Sequence, residues 1–303
     1  MVGASNTDLL TKVPRLPKMG ETLIGSHFHM GFGGKGANQA VMAAKLGADV
    51  AMVTKLGKDR FGEATFKNFL DRGIDTKNVI WSDEASGVAP ILVDNEGNNL
   101  IVIVPGASWM LSSDDVRSAS KAIRSADVTV CQLEVPLDTT LEAMRIAKRE
   151  NRLTILNPAP WHPLPEEAFL LSDIIVPNQV EAEALSEMPI KNTKDAEKAT
   201  MKMVDMGTKS VIITMGGGGA ILGDARGVEK IATIPVTCAD STGAGDAFLG
   251  TLAYSLATDA NLRDSVRMAN VAAALSVTKL GSQLSFPSKE EIRMQSLKWQ
   301  MPR

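Results

Sequence analysis

The sequence predicts an α/β protein: a parallel β-sheet flanked by helices, with a smaller β-sheet standing off it. Three observations carry this expectation. Short apolar runs without polar alternation recur along the chain, as in strands buried on both faces of a parallel sheet. Amphipathic helical segments separate the runs, a βαβ rhythm that closes with right-handed crossovers. Two stretches, residues 9–33 and 84–104, break the rhythm with strand patterns and no good helix.

In chain order, Gly3-Ala-Ser-Asn6-Thr-Asp8 follows the first apolar residues. Asn6 and Asp8 are two apart, so a strand carries both on one face, where an amide and a carboxylate suit vicinal hydroxyls. Polar residues at a strand end also form turns, and the pair alone does not decide between the two. Thr22–Phe32 reads as a strand. The helix Gly36–Leu46 shows Ala37, Val41 and Ala44 on one side and stops at Gly47; Phe61–Arg72 shows Phe61, Phe66 and Leu70 and stops at Gly73. Ile91–Val104 reads as two strands around an Asn/Gly turn. Val50–Thr54, Val128–Gln132, Leu153–Asn157, Asp173–Val176 and Val211–Met215 are the buried-strand runs, and Asp138–Glu150 is a helix opened by a capping aspartate. These readings divide the chain into a main domain of residues 1–8, 34–83 and 105–303 and a lid of residues 9–33 and 84–104, which covers a site or pairs with another subunit.

Composition excludes several classes. The 303 residues are 44% hydrophobic and 22% charged, with a net charge of −3 and no basic run, so neither nucleic acid nor an anionic membrane is the expected partner. The longest apolar runs, such as Leu100–Val104, are too short to span a bilayer, and no secretory pattern opens the chain. The expected location is cytoplasmic, extending to the nucleus if the source is eukaryotic. Cys131 and Cys238 read as buried free thiols. Of the three histidines, His27 and His29 alternate on one face of a strand-like run and fit no metal motif.

The most informative segment is Asp240-Ser-Thr-Gly-Ala-Gly-Asp246-Ala-Phe, which runs into a helical pattern of Ala247, Leu249, Leu252, Ala253 and Leu256. Gly243 and Gly245 let backbone amides approach an anion, and the helix start adds unpaired N–H donors and partial positive charge. Asp246 beside that turn can take a proton from an attacking hydroxyl. A base beside an anion hole is what phosphoryl transfer to an alcohol needs, although an ordinary Gly-rich strand-to-helix turn has the same composition. Gly33-Gly34-Lys35-Gly36-Ala37-Asn38-Gln39-Ala40 lacks Walker A spacing and reads as a hinge followed by a donor-rich turn facing a polyol. Glu134, at the end of a buried strand, is a substrate contact or a surface carboxylate. Asn178 and Glu181 either hold Mg²⁺ through water or form a capping box. Thr214-Met-Gly216-Gly-Gly-Gly219 exposes amides to a nucleotide.

Taken together, these segments resemble the ribokinase (PfkB) family of sugar kinases over nearly the whole chain, from Val2 to about Pro287. Gln132-Leu-Glu134, Asn157-Pro-Ala-Pro160 and Thr214-x-Gly216 extend the likeness. The resemblance implies a Rossmann-like α/β domain with a β-sheet lid and ATP-dependent phosphorylation of D-ribose at O5. It implies that Asp246 is the base and Gly243, Ala244 and Gly245 the anion hole. It also implies sugar contacts from Asn6, Asp8, Gly34, Lys35, Asn38 and Glu134, with Asn178 and Glu181 near Mg²⁺ and the phosphates. Thr214, Gly216, Gly219, Gly245 and Asn270 become nucleotide contacts. A monovalent cation, K⁺, falls to Asp240, Thr242, Ser276, Lys279, Gly281 and Ser285, several through backbone carbonyls, and the lid implies a homodimer. Ala4-Ser5 and Ser108 depart from the family's usual residues and bear on sugar specificity, not on reaction class. The rival readings are a kinase of this fold for another sugar or nucleoside, and a non-catalytic sugar or nucleotide sensor.

Overall fold

The computed structural model describes residues 1–300. Its strands are β1 (Asn6–Lys12), β2 (His27–Gly33), β3 (Ala51–Gly57), β4 (Asp75–Ser82), β5 (Gly87–Val93), β6 (Asn99–Ile101), β7 (Val128–Cys131), β8 (Leu153–Leu156), β9 (Ile174–Ile175), β10 (Ser210–Thr214), β11 (Ala220–Asp224) and β12 (Gly227–Ile231). Its α-helices are α1 (Lys35–Leu46), α2 (Arg60–Asp71), α3 (Ser113–Ser118), α4 (Ser120–Ser125), α5 (Leu137–Arg149), α6 (Glu166–Leu171), α7 (Gln179–Ser186), α8 (Thr193–Asp205), α9 (Ala244–Ala257), α10 (Leu262–Ser276) and α11 (Lys289–Gln300).

The main sheet runs β12-β11-β10-β9-β8-β7 and continues through Val2, which bridges Cys131 on one side and Val53 on the other, to β3 and β4. It is parallel from β4 to β10, and β11 and β12 add an antiparallel edge. The central strands alternate between two cores. Val130, Ile155, Ile174 and Ile212 face Phe248 and Val266 of α9 and α10. Cys131, Leu156, Ile175, Val211 and Ile213 face Met144, Phe169, Leu185 and Met203 of α5 to α8. Burial on both faces is why these strands read as continuous apolar runs.

The small sheet has the order β2-β1-β5-β6. The chain pairs with the main sheet at Val2 and enters the small sheet at Asn6, so β1 straddles the boundary expected between residues 8 and 9. The β5–β6 hairpin turns at Asp94–Gly97, where Asp94 Oδ1 accepts from the amides of Glu96 and Asn98. Several local expectations are corrected. The β2 strand starts at His27, not Thr22. Asp138 does not cap α5: Pro136 holds the cap position and Asp138 sits in the first turn, where its charge favours the helix dipole. Cys131 is buried, but Cys238 is exposed in the loop before α9. The strands β4 and β12 are half-exposed over much of their length, and β11 is short and ends in Gly223-Asp224, so none gave a clear apolar run. Among the described residues no helix is long and apolar enough to cross a membrane.

Candidate active site

Asp246 lies in the first turn of α9, 6% exposed, behind a helix start whose cap residue Gly243 adopts φ 78°. A left-handed cap needs glycine, and a Cβ at 243 would also crowd Ser282 at 3.0 Å. Among the described residues no group accepts from the amides of Gly243, Gly245 and Asp246, while the Ala244 amide bonds Ser241. These unbonded amides open on a cavity of about 550 Å³ that Lys35, Asn178, Glu181, Thr214, Gly216 and Asp246 also line. Most of these residues follow the carboxyl ends of parallel strands, where ligands gather in open α/β sheets.

Both oxygens of Asp246 are held from α1. Asn38 Nδ2 donates to Oδ2 at 2.9 Å and Gln39 Nε2 to Oδ1 at 3.0 Å. The helix reaches that close because two glycines remove side chains at its contacts. A Cβ on Gly36 would meet the Gly3 backbone at 2.8 Å, and one on Gly250, a turn below Asp246, would meet the Gln39 carbonyl at 2.6 Å. The Lys35 amide donates to Glu134 Oε2 at 2.7 Å, fixing that carboxylate over the helix start.

On the other side of Asp246 stands the face of the small sheet that carries Asn6 and Asp8. Their cross-strand neighbours are all minimal: Gly33 and Gly87 flank Asn6, and Gly31 and Ala89 flank Asp8. The two polar side chains therefore stand in a clearing. Asn6 Oδ1 is buried with no partner, and among the described residues the Asp8 carboxylate has no donor. Unpaired buried acceptors in a clearing point to hydroxyl donors from a ligand.

The charges of the site are mutually dependent. Burial, then Glu134 and Asp246, push the Asp8 carboxyl up to about 6. Burial also raises Glu134 against the pull of Lys35, and raises Glu181 against its bond from the Asn178 amide. For Lys35, burial works against the ammonium, but Asp246, Glu134 and Glu181 outweigh it and hold its pKa above the ordinary value.

Comparison with known proteins gives this geometry a family. The pfkB family carbohydrate kinase pattern matches residues 1–289. The chain belongs to the pfkB family. A ribokinase of Mus musculus is 43% identical over 298 residues, covering 96% of this chain and 92% of the relative. A deoxyribokinase of Salmonella typhi is 38% identical over 293 residues, covering 96% of each chain. The structure of an Arabidopsis thaliana ribokinase complexed with ribose and ATP superposes with TM-score 0.89 at 29% identity, covering 97% of this chain and 96% of that one. The ribokinase-like α/β fold expected from the sequence is therefore present.

In this pfkB kinase the structure brings Asn6, Asp8, Gly34, Lys35, Asn38, Glu134 and Asp246 together, and joins Asn178, Glu181, Thr214 and Gly216 to them through the cavity. The Asn178–Glu181 pair is a full capping box, so its structural reading holds whatever else it does. Gly219 and Asn270 lie outside this cavity. Asn270 Nδ2 donates to the carbonyls of Ile231 and Ala232, and Gly219 packs on the same two residues, so both shape the end of β12. The loops expected to hold a cation do meet: Asp240 accepts from the amides of Thr242 and Gly281, and the Ala239 amide donates to Val277. Ser276 and Ser285 lie buried nearby in sequence, and the Lys279 ammonium turns away to Glu291, leaving its carbonyl as the group to offer.

Sequence reasoning missed Gln39, Asn68, Gln132, Asn157 and Gln283 as site residues. Gln283 donates to Asn38 Oδ1 and accepts from Asn68, extending the amide chain behind the base. Gln39 was findable, since it lies one helical turn after Lys35 on the same face. Gln283 lies within the segment expected to hold a cation but was not singled out there, and Asn68 lies far from every motif along the chain.

The Asp8 carboxyl generates a pH prediction. If sugar hydroxyls donate to its ionised form, affinity for D-ribose weakens as pH falls below about 6, by up to about tenfold per unit. The free protein has the opposite sign: a raised carboxyl contributes stability in full below its ordinary 3.8 and loses it as pH rises through about 6. Titration calorimetry between pH 5 and 8 should show the slope in the wild type and not in Asp8→Asn. A slope of equal size in both proteins contradicts the assignment.

Proposed function

We propose that this protein transfers the γ-phosphoryl group of ATP to the 5-hydroxyl of D-ribose, giving ribose 5-phosphate and ADP. The observation that carries the reading is the shared position of Asp246: its carboxylate sits beside unbonded amides of the α9 turn and faces the clearing of Asn6 and Asp8. In this reading Asn6, Asp8, Glu134 and Lys35 orient the sugar, and Asp246 takes the proton of O5 as the bond to phosphorus forms. The amides of Gly243 and Gly245 receive the charge on the transferred group. Positioning and charge stabilisation are most of what such a transfer requires.

The donor set fits two cations. Glu181, a buried carboxylate lining the cavity with Asn178, suits Mg²⁺ held through water, which supplies charge neutralisation to the ATP phosphates when bound. Burial alone would raise Asp240, but its bonds from Thr242 and Gly281 hold the carboxyl below its ordinary value, so it stays ionised as a hard oxygen ligand for K⁺. Carbonyls and hydroxyls of Thr242, Ser276, Lys279, Gly281 and Ser285 complete that set, and Ser282 of the same loop packs against Gly243.

In our reading the small sheet is a lid that closes on the sugar about Gly33 and Gly34, and its outer surface pairs two subunits. Leu100, Ile101, Val102, Ile103 and Val104 are each 46–51% exposed, and Phe28 of the neighbouring β2 is 61% exposed. Five consecutive apolar residues in water favour a partner, and a two-fold dimer closes such a surface. We assign the enzyme to the cytoplasm, with its co-substrate ATP.

Four outcomes are expected. Purified protein releases ADP in a ribose-dependent reaction with Mg²⁺-ATP, and Asp246→Asn loses roughly 10²–10⁴-fold in kcat with ribose binding retained. D-ribose gives the highest kcat/KM in a panel with 2-deoxy-D-ribose, fructose and nucleosides. A preference for 2-deoxy-D-ribose reassigns the sugar, and no turnover with any acceptor returns the sensor reading. Replacing K⁺ by choline lowers the rate; equal rates remove the cation assignment. Light scattering gives twice the chain mass, and Ile101→Lys shifts it to the monomer; a wild-type monomer removes the dimer.

A further inference from the structure

Gln39 is fully buried on α1 and belongs to none of the contacts assigned above to sugar, nucleotide or cation. Its Nε2 donates to Asp246 Oδ1 at 3.0 Å, and its Oε1 accepts from Gln132 Nε2 at 2.6 Å. The same Nε2 lies 3.4 Å from Asn157 Oδ1, whose own amide donates to the Val176 carbonyl at 2.9 Å. The chain of amides therefore runs from the ends of β7 and β8 to the base.

Its direction is dictated by charge. A carboxylate only accepts, so Gln39 must turn its NH₂ toward Asp246 and its oxygen toward Gln132. Gln132 must then present its own NH₂. The cost appears at the far end, where Gln132 Oε1 is buried against Gly3 without a donor. Turning Gln132 to relieve that atom would set two oxygens face to face at the 2.6 Å contact. The network leaves an acceptor unpaired sooner than withdraw a donor from Asp246.

The second donor to Asp246, Asn38, is itself a sugar contact in the proposed function, and its oxygen is tied to Gln283. An arriving hydroxyl competes for Asn38. It does not compete for Gln39, which is walled in by α9 and β7. We propose that Gln39 is the positioning residue of the catalytic base: it holds the Asp246 carboxylate in one rotamer while Asn38 is shared with the sugar. The inference rests on the kinase reading above.

The charged groups facing Asp246 are Lys35 of α1, Asp8 of β1, Glu134 after β7 and Glu181 of α7. None of them is altered by substituting Gln39, so a changed kcat reports the lost donor.

The test compares wild type, Gln39→Leu and Gln39→Glu in the ribose-dependent ADP-release assay between pH 5 and 9, with thermal melts of each. Gln39→Leu should lower kcat on the order of 10–100-fold. KM for ribose and for ATP should change less than about threefold, because uniform binding is untouched. The near-isosteric Gln39→Glu keeps the volume but sets a carboxylate, which cannot donate, against Asp246, and should lower kcat in the same way. If Gln39→Leu does not fold, Gln39→Glu alone decides. A lower melting temperature with wild-type kcat in the folded variant makes Gln39 a packing residue and overturns the proposal. A wild type without ribose-dependent turnover overturns the kinase reading itself.

Discussion

The site depends on how closely α1 packs against α9. Asp246 is one of the few fully enclosed carboxylates of the chain, and it is tolerated there because two amides of α1 reach its two oxygens. They reach because Gly36 lets the start of α1 lie on the first strand and Gly250 lets the middle of α1 lie on α9. A methyl group at either position would move the helix by more than a hydrogen bond tolerates. The same packing brings the Lys35 amide to Glu134 and delivers the β2-to-α1 turn to the base. Gly34 is the joint of that turn: it has φ 85° and its Cα packs on Ala4, Ser5 and Asn6.

Around this contact the electrostatics are held in balance. Four carboxylates, Asp8, Glu134, Glu181 and Asp246, share one nearby ammonium, Lys35. Three of the four carboxyls are raised, with burial the largest cause, which marks the site as poised for ligands that bring hydroxyl donors and positive charge. Beside Lys35, the unbonded amides at the start of α9 add positive potential to the cavity, which in the proposed reaction would meet the phosphoryl group. The small sheet contributes by subtraction. Gly31, Gly33, Gly87 and Ala89 leave Asn6 and Asp8 uncovered, and a bulky residue at any of the four would fill the clearing.

Much of this was legible in the sequence, for identifiable reasons. The central strands declared themselves because burial on both faces makes apolar runs, and α1 and α2 because their glycine stops are local. The turn at Gly243–Gly245 and its aspartate are contiguous, so spacing alone singled them out as candidates. Register was not legible: nothing in the sequence pairs Asn6 with Gly33 and Gly87, and the clearing is a product of that pairing. The edge strand β12 alternates too weakly to be seen, and the buried β11 offers only the short apolar run Ala220 to Leu222. Asn270 was expected at the base of the nucleotide, but both its protons go to backbone carbonyls, a partnership set by tertiary structure. The amide chain of Asn68, Gln283, Asn38, Gln39 and Gln132 likewise joins residues from four separate segments.

The central claim is that the Asp246 carboxylate meets the attacking hydroxyl while the amide turn beside it meets the phosphoryl group being transferred. A crystal structure with D-ribose and a non-hydrolysable ATP analogue tests it directly. The account predicts O5 within about 2.6–3.2 Å of an Asp246 oxygen. It also predicts the γ-phosphate against the amides of Gly243 and Gly245, with Gln39 still on Oδ1. A sugar whose hydroxyls all lie away from Asp246, or a terminal phosphate bound elsewhere than the α9 turn, would contradict it.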